Sequence, residues 1–174
     1  PGGGKPYALN LRDGVIYTAT AQGCGGLTNA FYSFDLATRK GSAFVPAGGG
    51  LWGRRGASIG TDGTVYLGTG DGMFDPSNRR LGNAIVGVKI DDNKQLQLAD
   101  FFAPPNANWM WRRDLDVNTT PMAFDYKGHH FLVGTSKECR LWLLDRDGLG
   151  GEDHRTTLHT TPLVCNDALA FDWR

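Results

Sequence analysis

Asp114 and Asp116 are two carboxylates two residues apart, and Lys137 stands between two later apolar runs. If 114–117 is extended, both acids project from one face, because strand side chains alternate. Two acids on one face repel unless a positive group sits between them. A bound metal, or a proton held on one acid, would supply it, and Lys137 could bring a third charge to the same place. The competing reading is local: Asp and Asn at strand starts commonly bond their own turn amides.

The elements that must position these residues are strands in a repeat. Asp13-Gly-Val-Ile-Tyr-Thr-Ala-Thr is followed by Asn29-Ala-Phe-Tyr-Ser-Phe-Asp35. Asp62-Gly-Thr-Val-Tyr-Leu-Gly-Thr is followed by Asn83-Ala-Ile-Val-Gly-Val-Lys-Ile-Asp91, and Lys127-Gly-His-His-Phe-Leu-Val-Gly-Thr by Arg140-Leu-Trp-Leu-Leu-Asp145. Each copy reads turn, strand, loop, strand, Asp, turn. Leading strands are expected at 7–11, 57–59 and 122–124, and trailing strands near 42–45 and 95–102. Four short strands at a spacing of about 50 residues are the pattern of a β-propeller blade. The fold class expected is therefore all-β, with blades at about 5–47, 55–103 and 117–158 and the start of a further one at 159–174. Three blades do not close a ring, which needs roughly four to eight. The chain opens on PGGGKPYALN without a Met, and is expected to be part of a longer protein with further blades.

The loops between second and third strands are unequal: AQGCGGL, GDGMFDPSNRRLG and SKEC. They are expected at one end of the central channel, where function concentrates. The long one is either functional or a surface insertion.

Eighteen basic and eighteen acidic residues give a formal net charge of zero. That leaves no electrostatic footprint for nucleic acid. No apolar run approaches a membrane span. Twenty-five Gly and eight Pro mark frequent turns. Cys24, Cys139 and Cys165 lack the spacing of a zinc site or a c-type haem attachment, and their odd number leaves at least one thiol unpaired. His129 and His130 point to opposite faces of their strand. Trp109 and Trp111 either cap the channel or fill core, with core expected for one of them. Three arginine pairs, at 54–55, 79–80 and 112–113, either line the entrance for an anionic ligand or are solvated loop charges.

Four stretches resemble the quinoprotein alcohol and sugar dehydrogenases, eight-bladed propellers that bind pyrroloquinoline quinone (PQQ). AGGGLWG, residues 47–53, is similar to the family's Gly-rich run, whose Trp lies under the quinone; Trp52 takes that place. YLGTGDGMFDPSNRRLGN, residues 66–83, resembles the segment whose Asn after GTG is a metal ligand; Asp71 stands there. DLDVNTTP, residues 114–121, resembles the segment that carries the catalytic base. The resemblance makes Asp114 base and metal ligand and Asp116 a second metal ligand, while Arg113 stands where the family has Trp. GTSKECRLWLLDRDG, residues 134–148, resembles the segment whose Lys or Arg contacts the quinone oxygens; Lys137 takes that role, and Cys139 replaces a Gly. Cys24 falls where the family has a metal-ligating Glu, in the loop before FYSFD, and the resemblance puts it among the cofactor-binding positions.

What the resemblance implies is PQQ with Ca²⁺ or a lanthanide, and an alcohol or sugar substrate. It also implies a cytochrome c or quinone electron acceptor, and a periplasmic or secreted location. The alternative is a PQQ-like propeller that has lost its cofactor and serves as a scaffold for assembly or docking.

Overall fold

The computed structural model describes residues 6–47, 49–53 and 55–165; of Cys24 it describes the backbone alone. Strand β1 (Asn10–Arg12) turns into β2 (Val15–Ala19) through Asp13 and Gly14, both at positive φ, 50° and 74°. That is the backbone of a two-residue hairpin turn, and it explains the Asp-Gly pair. After β2 the chain makes one 3-10 turn at Cys24–Gly26 and returns as β3 (Phe31–Asp35) and β4 (Gly41–Phe44). The four pair in the order β1-β2-β3-β4, all antiparallel.

In the second sheet, β5 (Gly50–Trp52) and β6 (Ser58–Ile59) share one edge of β7 (Val65–Gly70). The expected leading strand is thus β6, with β5 extending the same edge. A small hairpin, β8 (Phe74–Asp75) with β9 (Arg80–Leu81), fills the long loop. Then β10 (Ile85–Ile90) and β11 (Leu96–Phe102) complete the sheet. A five-residue helix, α1 (Ala107–Trp111), precedes the third sheet. That sheet is β12 (Met122–Tyr126), β13 (His129–Thr135), β14 (Leu141–Asp145) and β15 (His159–Thr160), again in sequence order. Lys127 and Gly128 repeat the positive-φ pair, at 50° and 80°. Because β15 pairs with β14, His159–Thr160 closes the third sheet rather than opening a further unit. Lys5 and residues 166–174 lie outside the described residues.

The Asp that ends each third strand caps the turn beyond it. Asp35 Oδ1 accepts from the Ala37 and Thr38 amides, Asp91 Oδ1 from those of Asn93 and Gln95, and Asp145 Oδ1 from that of Asp147. This fixes the hairpin exit locally.

The second sheet lies between the other two. Val65, Leu67, Val86 and Val88 pack toward Tyr17 and Phe31 of the first sheet. Tyr66, Ile85 and Phe102 pack toward Leu132, Trp142 and Leu144 of the third. Every residue of β7 is buried, whereas β2 alternates buried and half-buried positions. Full burial of each such apolar side chain contributes about 1.5–3 kcal/mol. Side-chain bonds to backbone join the sheets: Asn10 Oδ1 accepts from the Ala57 amide, and Ser58 Oγ from the Ala123 amide. The chain is mostly β, as its pattern implies. Among the described residues no helix is long and apolar enough to cross a membrane.

Candidate functional site

The second strands β2, β7 and β13 all run out at one end of the stack, and the first residues of their exit loops meet there. Gln22, Asp71 and Lys137, one from each loop, line a cavity of about 250 Å³ together with Trp52, Asp114, Asp116 and Asn118. Trp52 arrives on β5, held against the end of β7 by the pairing of Trp52 with Gly68.

Two glycines make this close approach possible. A Cβ on Gly49 would run into the Gly70 carbonyl, and one on Gly70 would stand 2.6 Å from both the Asp116 side chain and Trp52 Nε1. The Gly-rich run and the Gly-Thr-Gly run are therefore two backbones that lie side by side beneath Trp52 and Asp116. Trp52 Nε1 is buried there, with no hydrogen-bond partner among the described residues.

Asp116 is the buried member of the cluster, with 2 % of its side chain exposed. Its two oxygens are both used: Oδ1 accepts from the Asp71 amide at 2.9 Å and Oδ2 from Lys137 Nζ at 2.8 Å. A buried carboxylate is tolerable only when paired in this way. The Lys137 backbone amide also donates to the Asp116 carbonyl, at 3.0 Å. Asp114, 76 % exposed, contacts the same ammonium through Oδ1 at 3.0 Å. Residues 114–117 form no strand, so the alternation that would put both acids on one face does not apply. Asp114 sits in the turn that follows α1, at a φ of 57°, and this left-handed kink, not strand alternation, aims both carboxylates at one point. The positive group between them is Lys137.

Asp71 completes the cluster. One carboxylate oxygen from each of Asp71, Asp114 and Asp116 lies within 4.8 Å of the others. Asp71 is also left-handed, with a φ of 58°, and its carboxylate has no partner among the described residues. Partial burial, then the charges of Asp116 and Asp114, push its pKa above the ordinary 3.8, with Lys137 opposing. For Lys137, partial burial works against the ammonium, but the hydrogen bonds to Asp116 and Asp114 outweigh it and raise its pKa. Lys137 is therefore a cation at neutral pH.

Oxygen donors of this kind suit hard cations such as Ca²⁺ or a lanthanide. Three carboxylates against one ammonium leave two negative charges for such an ion. The donor set therefore fits the cation that the sequence resemblance implies. The flat ring of Trp52, which lines the cavity, suits stacking against a planar ligand.

Five of the six expected site residues thus converge: Trp52, Asp71, Asp114, Asp116 and Lys137. The side chain of the sixth, Cys24, lies outside the described residues. Gln22 and Asn118 were not singled out from sequence; both sit within stretches that were, next to expected site residues. Cys139 is bonded to Cys165, which ties the Lys137 turn to the chain beyond β15. Trp109 and Trp111 are 45 % and 37 % exposed, so neither is core; Met110 between them is buried. The arginines of the three pairs are exposed and do not line the cavity, except Arg54, which lies outside the described residues. His129 and His130 are surface residues of β13, and His130 Nδ1 meets Asp147 at 2.9 Å.

The chain matches no protein-family model and no curated protein.

Proposed function

We propose that this chain is part of a β-propeller quinoprotein that oxidises an alcohol or a sugar using PQQ and a hard cation, Ca²⁺ or a lanthanide. One observation carries the reading. Residues from four stretches between positions 52 and 137, each resembling a quinoprotein motif, line a single cavity. The cavity, about 250 Å³, is smaller than the roughly 300–1,000 Å³ of most cofactor pockets. The reading therefore includes walls from further blades.

When bound, the quinone supplies the two-electron acceptor and the cation the Lewis acid. The chain's own residues do the rest. Asp71, Asp114 and Asp116 hold the cation. Trp52 offers a flat face to the planar ring. Asp114, whose side chain is 76 % exposed, receives the hydroxyl proton of the substrate on a carboxylate oxygen. Lys137 lines the same cavity, and its N–H donors serve oxygens of the quinone. A cytochrome c or a quinone takes the electrons onward. The Cys139–Cys165 disulfide supports a periplasmic or secreted location, since disulfides persist in oxidising compartments.

A second reading has one observation in its favour. Lys137 already satisfies Asp116 and contacts Asp114, so the cluster also serves as a structural tie in a propeller that acts as a binding scaffold.

Titrating the full-length protein with PQQ in the presence of Ca²⁺ or La³⁺, followed by the quinone's absorbance, separates the two. The expected result is stoichiometric, cation-dependent binding that is lost in Asp114→Ala. A folded protein that binds no PQQ with either ion overturns the enzyme reading and leaves the scaffold.

A further inference from the structure

Lys137 Nζ stands 3.0 Å from Asp114 Oδ1 and 2.8 Å from Asp116 Oδ2. Those oxygens belong to two of the three carboxylates that can face one ion. An ammonium at that position takes up oxygen lone pairs that a hard cation would need, and its charge repels the cation. Both effects act over distances too short for salt to screen. The lysine is also free to leave. It is an end-on donor on a flexible four-carbon stem, and 15 % of its side chain is exposed on the cavity side. Only its backbone is fixed, by the bond from its amide to the Asp116 carbonyl.

From this geometry we infer that Lys137 is an internal place-holder for the cation: an incoming Ca²⁺ or lanthanide displaces its ammonium from Asp114 and Asp116. The displaced ammonium then points into the cavity lined by Trp52 and Gln22. There it meets whatever anionic or carbonyl-bearing ligand the cavity takes. Cation and ligand are thereby coupled: each binds more tightly with the other present, by the same factor. This inference rests on the cation site of the proposed function but not on PQQ, so its test uses the cation alone.

The test is a titration of the full-length protein with Tb³⁺, read by sensitised luminescence from the nearby Trp52, and with Ca²⁺ by calorimetry. Lys137→Met removes the competing charge while keeping an unbranched stem. Its affinity for Tb³⁺ is expected to rise by at least about tenfold over the wild type. Lys137→Arg, which keeps the charge, is expected to bind no more tightly than the wild type. Equal or weaker binding by Lys137→Met overturns the inference, because a lysine that only supports the site loses affinity when removed. So does an absence of binding to both proteins.

A wild-type measurement covers the case in which Lys137→Met does not fold. The reactivity of Lys137 toward an amine-selective reagent, mapped by mass spectrometry, is expected to rise several-fold as La³⁺ saturates the protein. Unchanged or lower reactivity at saturation overturns the inference. If the cation results hold and PQQ does not bind, the place-holder stands and the quinoprotein reading falls.

Discussion

Asp71 is the carboxylate of the cluster without a counter-charge of its own, and its energetics differ from those of its neighbours. Asp116 is neutralised by Lys137 at 2.8 Å, so removing Asp116 leaves that ammonium half-buried with only an exposed partner. Breaking a buried pair in this way costs about 3–5 kcal/mol. Removing Asp71 does the opposite. Its folded pKa lies above the ordinary 3.8, so the folded state binds its proton more tightly than the unfolded chain does. The associated stability is present below 3.8 and is lost as pH rises through the folded value. At pH 7 the ionised Asp71 is therefore destabilising. In cation-free buffer, Asp71→Asn is expected to be more stable than the wild type at pH 7, and the difference to shrink toward zero near pH 3. Chemical denaturation at the two pH values measures this. An equal or lower stability of the variant at pH 7 would sink the electrostatic account of the cluster.

The elements that carry the acids are themselves tied together. Asn108 of α1 accepts from the Phe74 amide at 2.8 Å through Oδ1 and donates from Nδ2 to the Phe74 carbonyl at 3.0 Å. One amide side chain thus pairs with β8 as a strand neighbour would. It joins the loop that begins at Asp71 to the helix that ends just before Asp114. In Asn108→Ala the expected loss is about 1–3 kcal/mol, with faster amide exchange at Phe74 and a smaller cation-induced rise in Tm. Unchanged exchange at Phe74 would show that the hairpin is held by other contacts.

This tie was not readable in the sequence, and the reason is general. The strands and turns were readable because their causes are local: Asp13-Gly14 and Lys127-Gly128 set two-residue hairpins, and Asp35, Asp91 and Asp145 cap the turns beside them. The site was readable as a set of residues but not as a geometry. Its convergence depends on left-handed backbones at Asp71 and Asp114 and on contacts between residues 21 to 45 positions apart. Periodicity carries no information about either. The short α1 escaped for a related reason: five residues hold too little helical period to register, and the Trp-Met-Trp run buries only its Met.

At the scale of the molecule, the three sheets form an incomplete stack. The second has both faces buried, and the first and third each bury one. The outer face of the first sheet aligns Leu11, Ile16 and Phe34 across three strands. The outer face of the third aligns Met122, Val133 and Leu143, with the Phe124 and Phe131 rings 5.5 Å apart beside them. A strand that ends a stack normally turns polar side chains outward; these faces repeat instead the apolar pattern seen between the sheets. Further sheets of the same kind would cover them, as in a propeller. Val133→Lys and Ile16→Lys in the full-length protein decide the matter, since each puts a charge at the centre of one face. Covered faces would hold that charge without a partner, and the expected loss is more than about 3 kcal/mol. Faces in water would lose no more than strand propensity, at most about 1 kcal/mol. A loss that small on both faces would mean that the stack ends with these three sheets. The cavity of Trp52 and Lys137 would then lack its remaining walls, and the propeller and quinoprotein readings would fall together.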